Sequence, residues 1–281
     1  MNRLASVLLV ACVSVCTSTF CLQLSAQANS GTPSASGSST AAGDSEAIAL
    51  MQRVLSTMGG AGGWQSVGAA TTTMTRTMPD GTQRKIHWVD YWSASSMLSR
   101  RGASDSPSGP NTVISSGQFQ SHRQADGPQK WYPKDPDLVL LAVGYPGAAI
   151  HRSLERPNCT FSSKIIPSGR WPSSPLSENA DETIIYEQCV GSSFTDARCN
   201  IAWIIAAGTA QLRGVWLPVR GLLHNSVAFE QVRYEDFQQV GNLKVPHRIE
   251  ITRPTGRVDS LIVDSPAFSS RLPQSAFDPS K

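Results

Sequence analysis

Between Leu243 and Thr252 side chains alternate in character, so that Leu243, Val245, His247, Ile249 and Ile251 fall on one side of an extended chain and Lys244, Pro246, Arg248, Glu250 and Thr252 on the other. Four of the first five are apolar, the pattern of a strand with one buried face. Gly241-Asn242 supplies the turn of a hairpin whose other strand ends near Phe237. Pro246 has no amide to donate, which predicts that its strand lies at a sheet edge or is bulged there. The same logic predicts a hairpin of Thr71–Met78 and Thr82–Trp92 around Pro79-Asp80-Gly81. In its second arm Ile86, Trp88, Asp90 and Trp92 share one face, and His87, Val89 and Tyr91 the other. Further strands are expected around Thr112–Ile114, Gly117–His122, Thr160–Ile166, Thr183–Val190, Cys199–Ile205, Gln211–Pro218, Val227–Tyr234 and Val258–Val263. Turns such as Ala207-Gly208 and Thr255-Gly256 join some of them, as successive antiparallel hairpins require.

Helical spacing is sparse by comparison. Asp44 or Ser45 can cap a helix carrying Ile48, Met51, Val54, Leu55 and Met58, which ends in Gly59-Gly60. The run Gly59–Trp64 is not a phosphate loop, because its glycines end a helix and no Gly-Lys-Ser/Thr follows. Asp135 or Asp137 can start a short apolar helix from Leu138 that Gly144 and Pro146 stop or kink. That helix is either part of the core or a lid with an apolar underside.

Composition and charge change the picture at the N-terminus. Arg3, an apolar run from Leu4 to Val15 and a closing Ala26-Gln27-Ala28 read as a secretory signal peptide over residues 1–28. The run is too short to span a bilayer as a helix, so no transmembrane segment is expected in the mature chain. Leu9-Val10-Ala11-Cys12 also has the residue types of a lipoprotein cleavage box, which leaves a lipid anchor at Cys12 as the lesser alternative. Residues 29–43, small and polar, form a flexible linker, and residues 44–281 a single domain. The expected location is therefore periplasmic or secreted. A net charge of +3 with scattered Lys and Arg gives no case for nucleic acid. Of six cysteines, Cys159, Cys189 and Cys199 remain after cleavage, and two of them should pair in an oxidising compartment. Cys189 with Cys199 would close a hairpin-sized loop and Cys159 with Cys199 a longer one, either worth about 3 to 4 kcal/mol.

Chemistry is hard to find. There is no G-x-S-x-G, no C-x-x-C and no H-E-x-x-H. His87, His122, His151, His224 and His247 are isolated from one another, and the pairs Asp135/Asp137 and Glu235/Asp236 read as a helix start and a wet strand face. No cofactor, metal or catalytic residue is expected.

Ala47–Met58 running into Gly59-Gly60 and Trp64, the segment Trp203–Arg213, and Tyr234-Glu235-Asp236-Phe237 followed by Val240–Pro246 together resemble the periplasmic LolA/LolB-type lipoprotein carriers and related secreted bacterial proteins. The resemblance implies an α+β fold: a strongly curved antiparallel sheet, an unclosed β-barrel, with a few helices covering its concave face and an apolar cavity between. The function that follows is an envelope protein binding a lipid acyl chain or other apolar ligand, with lipid or lipoprotein transfer as its specific form. Trp88, Trp92, Leu140, Leu141, Trp203, Tyr234, Val245 and Ile249 are the expected cavity lining, being bulky and placed on strand faces or the short helix. The alternative is a non-catalytic structural or signalling protein of the envelope, with a filled core and a protein partner outside.

Overall fold

Asp44 opens the first helix, α1 (Ser45–Thr57), by accepting a hydrogen bond from the Glu46 amide at 3.0 Å. Ala47, Met51, Val54 and Leu55 form its buried stripe. The Met58 backbone carries the helix to Gly59, whose φ of 111° only glycine adopts without strain. The glycine run does not simply end there. Gly60–Gln65 forms a second short helix, α2, against the low helix propensity of glycine. Tertiary contacts explain it: Trp64 is buried and donates to the Met58 carbonyl at 3.0 Å, while Gly63 lies so close to Leu243 that a Cβ would stand 3.0 Å from its Cδ2.

This computed structural model describes residues 41–92, 97–103, 112–116, 119–123, 130–133, 137–165, 180–189, 199–220 and 227–271, which belong to one compact unit. Residues 1–28, most of the linker, and His224 lie outside them. Fourteen strands among the described residues make one sheet. In chain order they are β1 (Ala42–Gly43), β2 (Ala69–Thr77), β3 (Gln83–Trp92), β4 (Met97–Ala103), β5 (Thr112–Ser116), β6 (Phe119–Arg123) and β7 (Lys130–Pro133), then β8 (Cys159–Ser162), β9 (Glu182–Cys189), β10 (Cys199–Ala206), β11 (Leu212–Arg220), β12 (Val227–Val240), β13 (Leu243–Thr252) and β14 (Val258–Ser269). Their spatial order is β1-β8-β9-β10-β11-β12-β13-β14-β2-β3-β4-β5-β6-β7. The sheet is antiparallel except for the β1–β8 pair, and its two ends are not joined. This is the expected α+β unclosed barrel.

Register carries one apolar face across the sheet. Trp203 stands opposite Val215, Val215 opposite Val232, Tyr234 opposite Ile249, Ile249 opposite Leu261, and Val263 opposite Met74. All of these belong to a single core that also takes in the buried side of α1, α2, α3 (Asp137–Gly144) and α4 (Pro146–Leu154). Gly144 ends α3 and Pro146 begins α4, its missing amide harmless at that position. Three strands escaped the sequence pattern: β4, β7 and the two-residue β1, which pairs with β8 at the end of the stretch read as a flexible linker. Pro246 corrects the expectation of an edge or a bulge. Its strand is interior and in register with β12, but the ladder with β14 begins only at Arg248, so no neighbour asks the proline for an amide.

The disulfide also departs from the pairings weighed above. Cys159 bonds to Cys189, because β8 lies beside β9 with these residues directly opposed. Cys199 takes the facing register position on the other side of Cys189.

Candidate functional site

Where β2 and β3 meet β13 and β14, the apolar face gives way to a charged rim. A cavity of about 280 Å³ opens there, lined by Arg76, Met78, Arg84, Ile86, Trp88, Gly102, Ile251, Arg253, Asp259 and Leu261. Ligand sites usually run from roughly 300 to 1,000 Å³, so it lies at their lower bound. The alternation that makes the hairpin also builds the pocket. Arg84, Ile86 and Trp88 are spaced by two on β3 and face Arg76, Met74 and Thr72 on β2. Ile251 and Leu261 supply the opposite wall from β13 and β14.

The rim is organised on one carboxylate. Asp259 is buried, with Arg76 at 2.6 Å, Arg257 at 3.2 Å and Arg253 at 3.3 Å. Arg253 also reaches Glu230. Burial works against ionisation of Asp259, but the hydrogen bond and charge of Arg76, followed by the charges of Arg253 and Arg257, hold its pKa below the usual carboxylate range. Arg84 is exposed and forms no ion pair among the described residues, although it feels the charge of Asp80 across the hairpin turn. None of these rim residues stood out in the sequence. The available signal was the alternation Arg84, Ile86, Trp88, which continues the face that carries Asp90 and Trp92.

Of the expected lining, Trp88 alone borders this cavity. The other positions lie in the core under the helices. Leu141, Trp203 and Ile249 have no exposed surface, Tyr234 and Val245 are buried, and Leu140 packs partly buried against them. Trp92 is buried with its ring 5.4 Å from that of Tyr145. The tyrosines fasten the helices down: the Tyr234 hydroxyl donates to the Ala142 carbonyl near the end of α3, and the Tyr145 hydroxyl bonds Thr72 at 2.8 Å. Gly144 touches the pocket from behind, since a Cβ there would stand 2.8 Å from the Trp88 ring.

A second polar group is buried farther along the sheet. Glu187, on β9, accepts from Trp203 Nε1 at 2.6 Å, and its Oε1 lies 3.0 Å from Cys189 Sγ. That sulfur belongs to the disulfide and carries no hydrogen. Burial pushes the carboxyl up to about 7, against the pull of the Trp203 donor. Cys159, Glu187 and Cys189 are close enough to resemble a metal-binding set. With both sulfurs bonded to each other, neither is the thiolate a metal would need. No helix among the described residues is long and apolar enough to cross a membrane.

No family model matches the sequence, and a search of curated proteins finds no match. Solved structures do match. A DUF1329 family protein from Desulfovibrio piger superposes with a TM-score of 0.50 at 6% identity, covering 83% of this chain and 98% of that one. A LolA superfamily protein from Nitrosomonas europaea gives 0.48 at 11% identity, with 83% and 98% covered. An outer membrane lipoprotein-sorting protein domain from Vibrio parahaemolyticus gives 0.47 at 10% identity, with 84% and 97% covered. At such identities the likeness concerns the fold, and it extends over nearly the whole length of each solved chain. In fold, this chain is similar to the DUF1329 family protein, whose superposition reaches a TM-score of 0.50.

Proposed function

We propose that this chain is an envelope protein that binds the acyl chain of a lipid or lipidated protein against its sheet, without catalysis. The observation that carries this reading is the cavity, because Ile86, Trp88, Ile251 and Leu261 offer an apolar wall continuous with the concave core. Each buried CH₂ contributes about 0.8 kcal/mol, so even a few methylenes in the pocket give usable affinity. Longer chains need room that Leu141, Trp203 and Ile249 now fill, and displacing α3 would supply it by breaking the Tyr234 hydrogen bond to the Ala142 carbonyl. In this reading residues 1–28 direct export, residues 29–43 tether the domain, and the disulfide fits an oxidising compartment.

The full concave face favours the second reading, a filled scaffold that engages a protein partner on its outside. Titration with a fluorescent fatty acid separates the two. Acyl binding predicts saturable uptake at one per chain, weakened about tenfold by filling the pocket with Leu261→Trp. Absence of any saturable uptake would leave the scaffold.

A further inference from the structure

The pocket has an imbalance that acyl binding by itself does not use. Three guanidiniums, from Arg76, Arg84 and Arg253, line it against one carboxylate, Asp259. Asp259 is already shared by Arg76, Arg253 and Arg257, and Glu230 answers only Arg253. Moreover, Arg76 and Arg84 stand directly opposite each other across β2 and β3. Like charges in that position repel, and Arg76 has its carboxylate within ion-pair distance while Arg84, among the described residues, has only the more distant charge of Asp80. Immediately inward on the same strand faces lie Met74 opposite Ile86 and Thr72 opposite Trp88, so the cationic end grades into an apolar wall within a few residues.

We infer that the rim formed by Arg84, Arg76 and Arg253 is a headgroup site, and that the ligand is an amphiphile with an anionic head, a carboxylate or phosphate, carried on an acyl chain that lies against Trp88 and Leu261. The inference rests on the proposed acyl binding and narrows its ligand class. The anion supplies the missing counter-charge between Arg76 and Arg84, and guanidiniums are suited to such oxyanions because they donate in a planar fork. Neutral lipids lose this contact but keep the apolar one.

The test measures binding of hexadecanoate, hexadecanol and inorganic phosphate to the purified protein and to its Arg84→Ala and Arg84→Lys variants. Arg84 is exposed and outside the core, so its replacement spares folding. Hexadecanoate is expected to bind about tenfold more tightly than hexadecanol, with an advantage that fades as salt is raised. Arg84→Ala lowers hexadecanoate affinity far more than hexadecanol affinity and so removes that advantage, and Arg84→Lys restores part of it. Equal binding of acid and alcohol overturns the headgroup site while leaving acyl binding intact. Failure of both long chains to bind removes the acyl reading, and the headgroup site with it. Phosphate binding as tightly as hexadecanoate would identify a site for free anions and overturn the amphiphile.

Discussion

Glu187 is a carboxyl whose ionisation this fold opposes by burial. Its carboxyl, ordinarily near 4.5, is held at about 7 by burial, so the folded chain binds this proton more tightly than the unfolded one. The corresponding stabilisation is full below about 4.5 and is lost as pH rises through 7, a loss on the order of 3 kcal/mol. Urea midpoints over that range should therefore fall more steeply for the wild type than for Glu187→Gln, which keeps an acceptor for Trp203 but cannot ionise. Parallel curves would mean that Glu187 is not buried as described. Gly147 makes a steric commitment of the same kind, since a Cβ there would stand 2.4 Å from the Trp64 indole. Gly147→Ala is expected to cost about 1 to 3 kcal/mol in thermal or urea unfolding. Both residues were within reach of sequence reading to different degrees. Glu187 alternates with Ile185 on β9 and so falls on an inward face, whereas nothing in the local sequence says that Trp64 reaches a glycine in another helix.

At the scale of elements, periodicity was legible wherever a strand has one apolar face. The β2–β3 hairpin and β13 lie close to where alternation predicts them, and α1 has its cap and buried stripe in place. Alternation fails for β4, whose sequence MLSRRGA groups its apolar and polar residues instead of alternating them, and for α2, where tertiary contact overrides the propensity of glycine. Long-range pairing was the other blind spot. Three cysteines admit three bridges, and only the adjacency of β8 and β9 selects Cys159 with Cys189. Non-reducing peptide mapping should recover that bridge and an alkylatable thiol at Cys199. Removing it with Cys159→Ser and Cys189→Ser together should cost about 3 to 4 kcal/mol, given a sequence separation of 30. The attachment of α3 is testable too. Tyr234→Phe deletes the donor to the Ala142 carbonyl, which predicts a loss of about 1 kcal/mol and faster uptake of long acyl chains if α3 must yield to admit them. Unchanged uptake kinetics would place the entry route elsewhere.

For the whole molecule, fourteen described strands in an unclosed sheet bury one largely apolar face under four helices, with the carboxyls of Glu187 and Asp90 enclosed and the arginines around Asp259 at its rim. The expected lining residues were chosen for bulk and face, and those criteria find a core more readily than they find a cavity. All eight belong to or pack against the core, Leu140 only partly buried and Trp88 reaching the cavity as well, and the opening lies where the apolar face ends, a boundary that register sets and local sequence does not mark. Acyl binding and a filled scaffold therefore differ over a single question, whether anything other than protein ever occupies the space beside Trp88. Native mass spectrometry of the protein isolated from its own cells asks this directly. The account predicts a bound species with the mass of one acyl-bearing anionic molecule, released on denaturation. A bare chain in every charge state, with no fatty acid recovered by extraction, would contradict it.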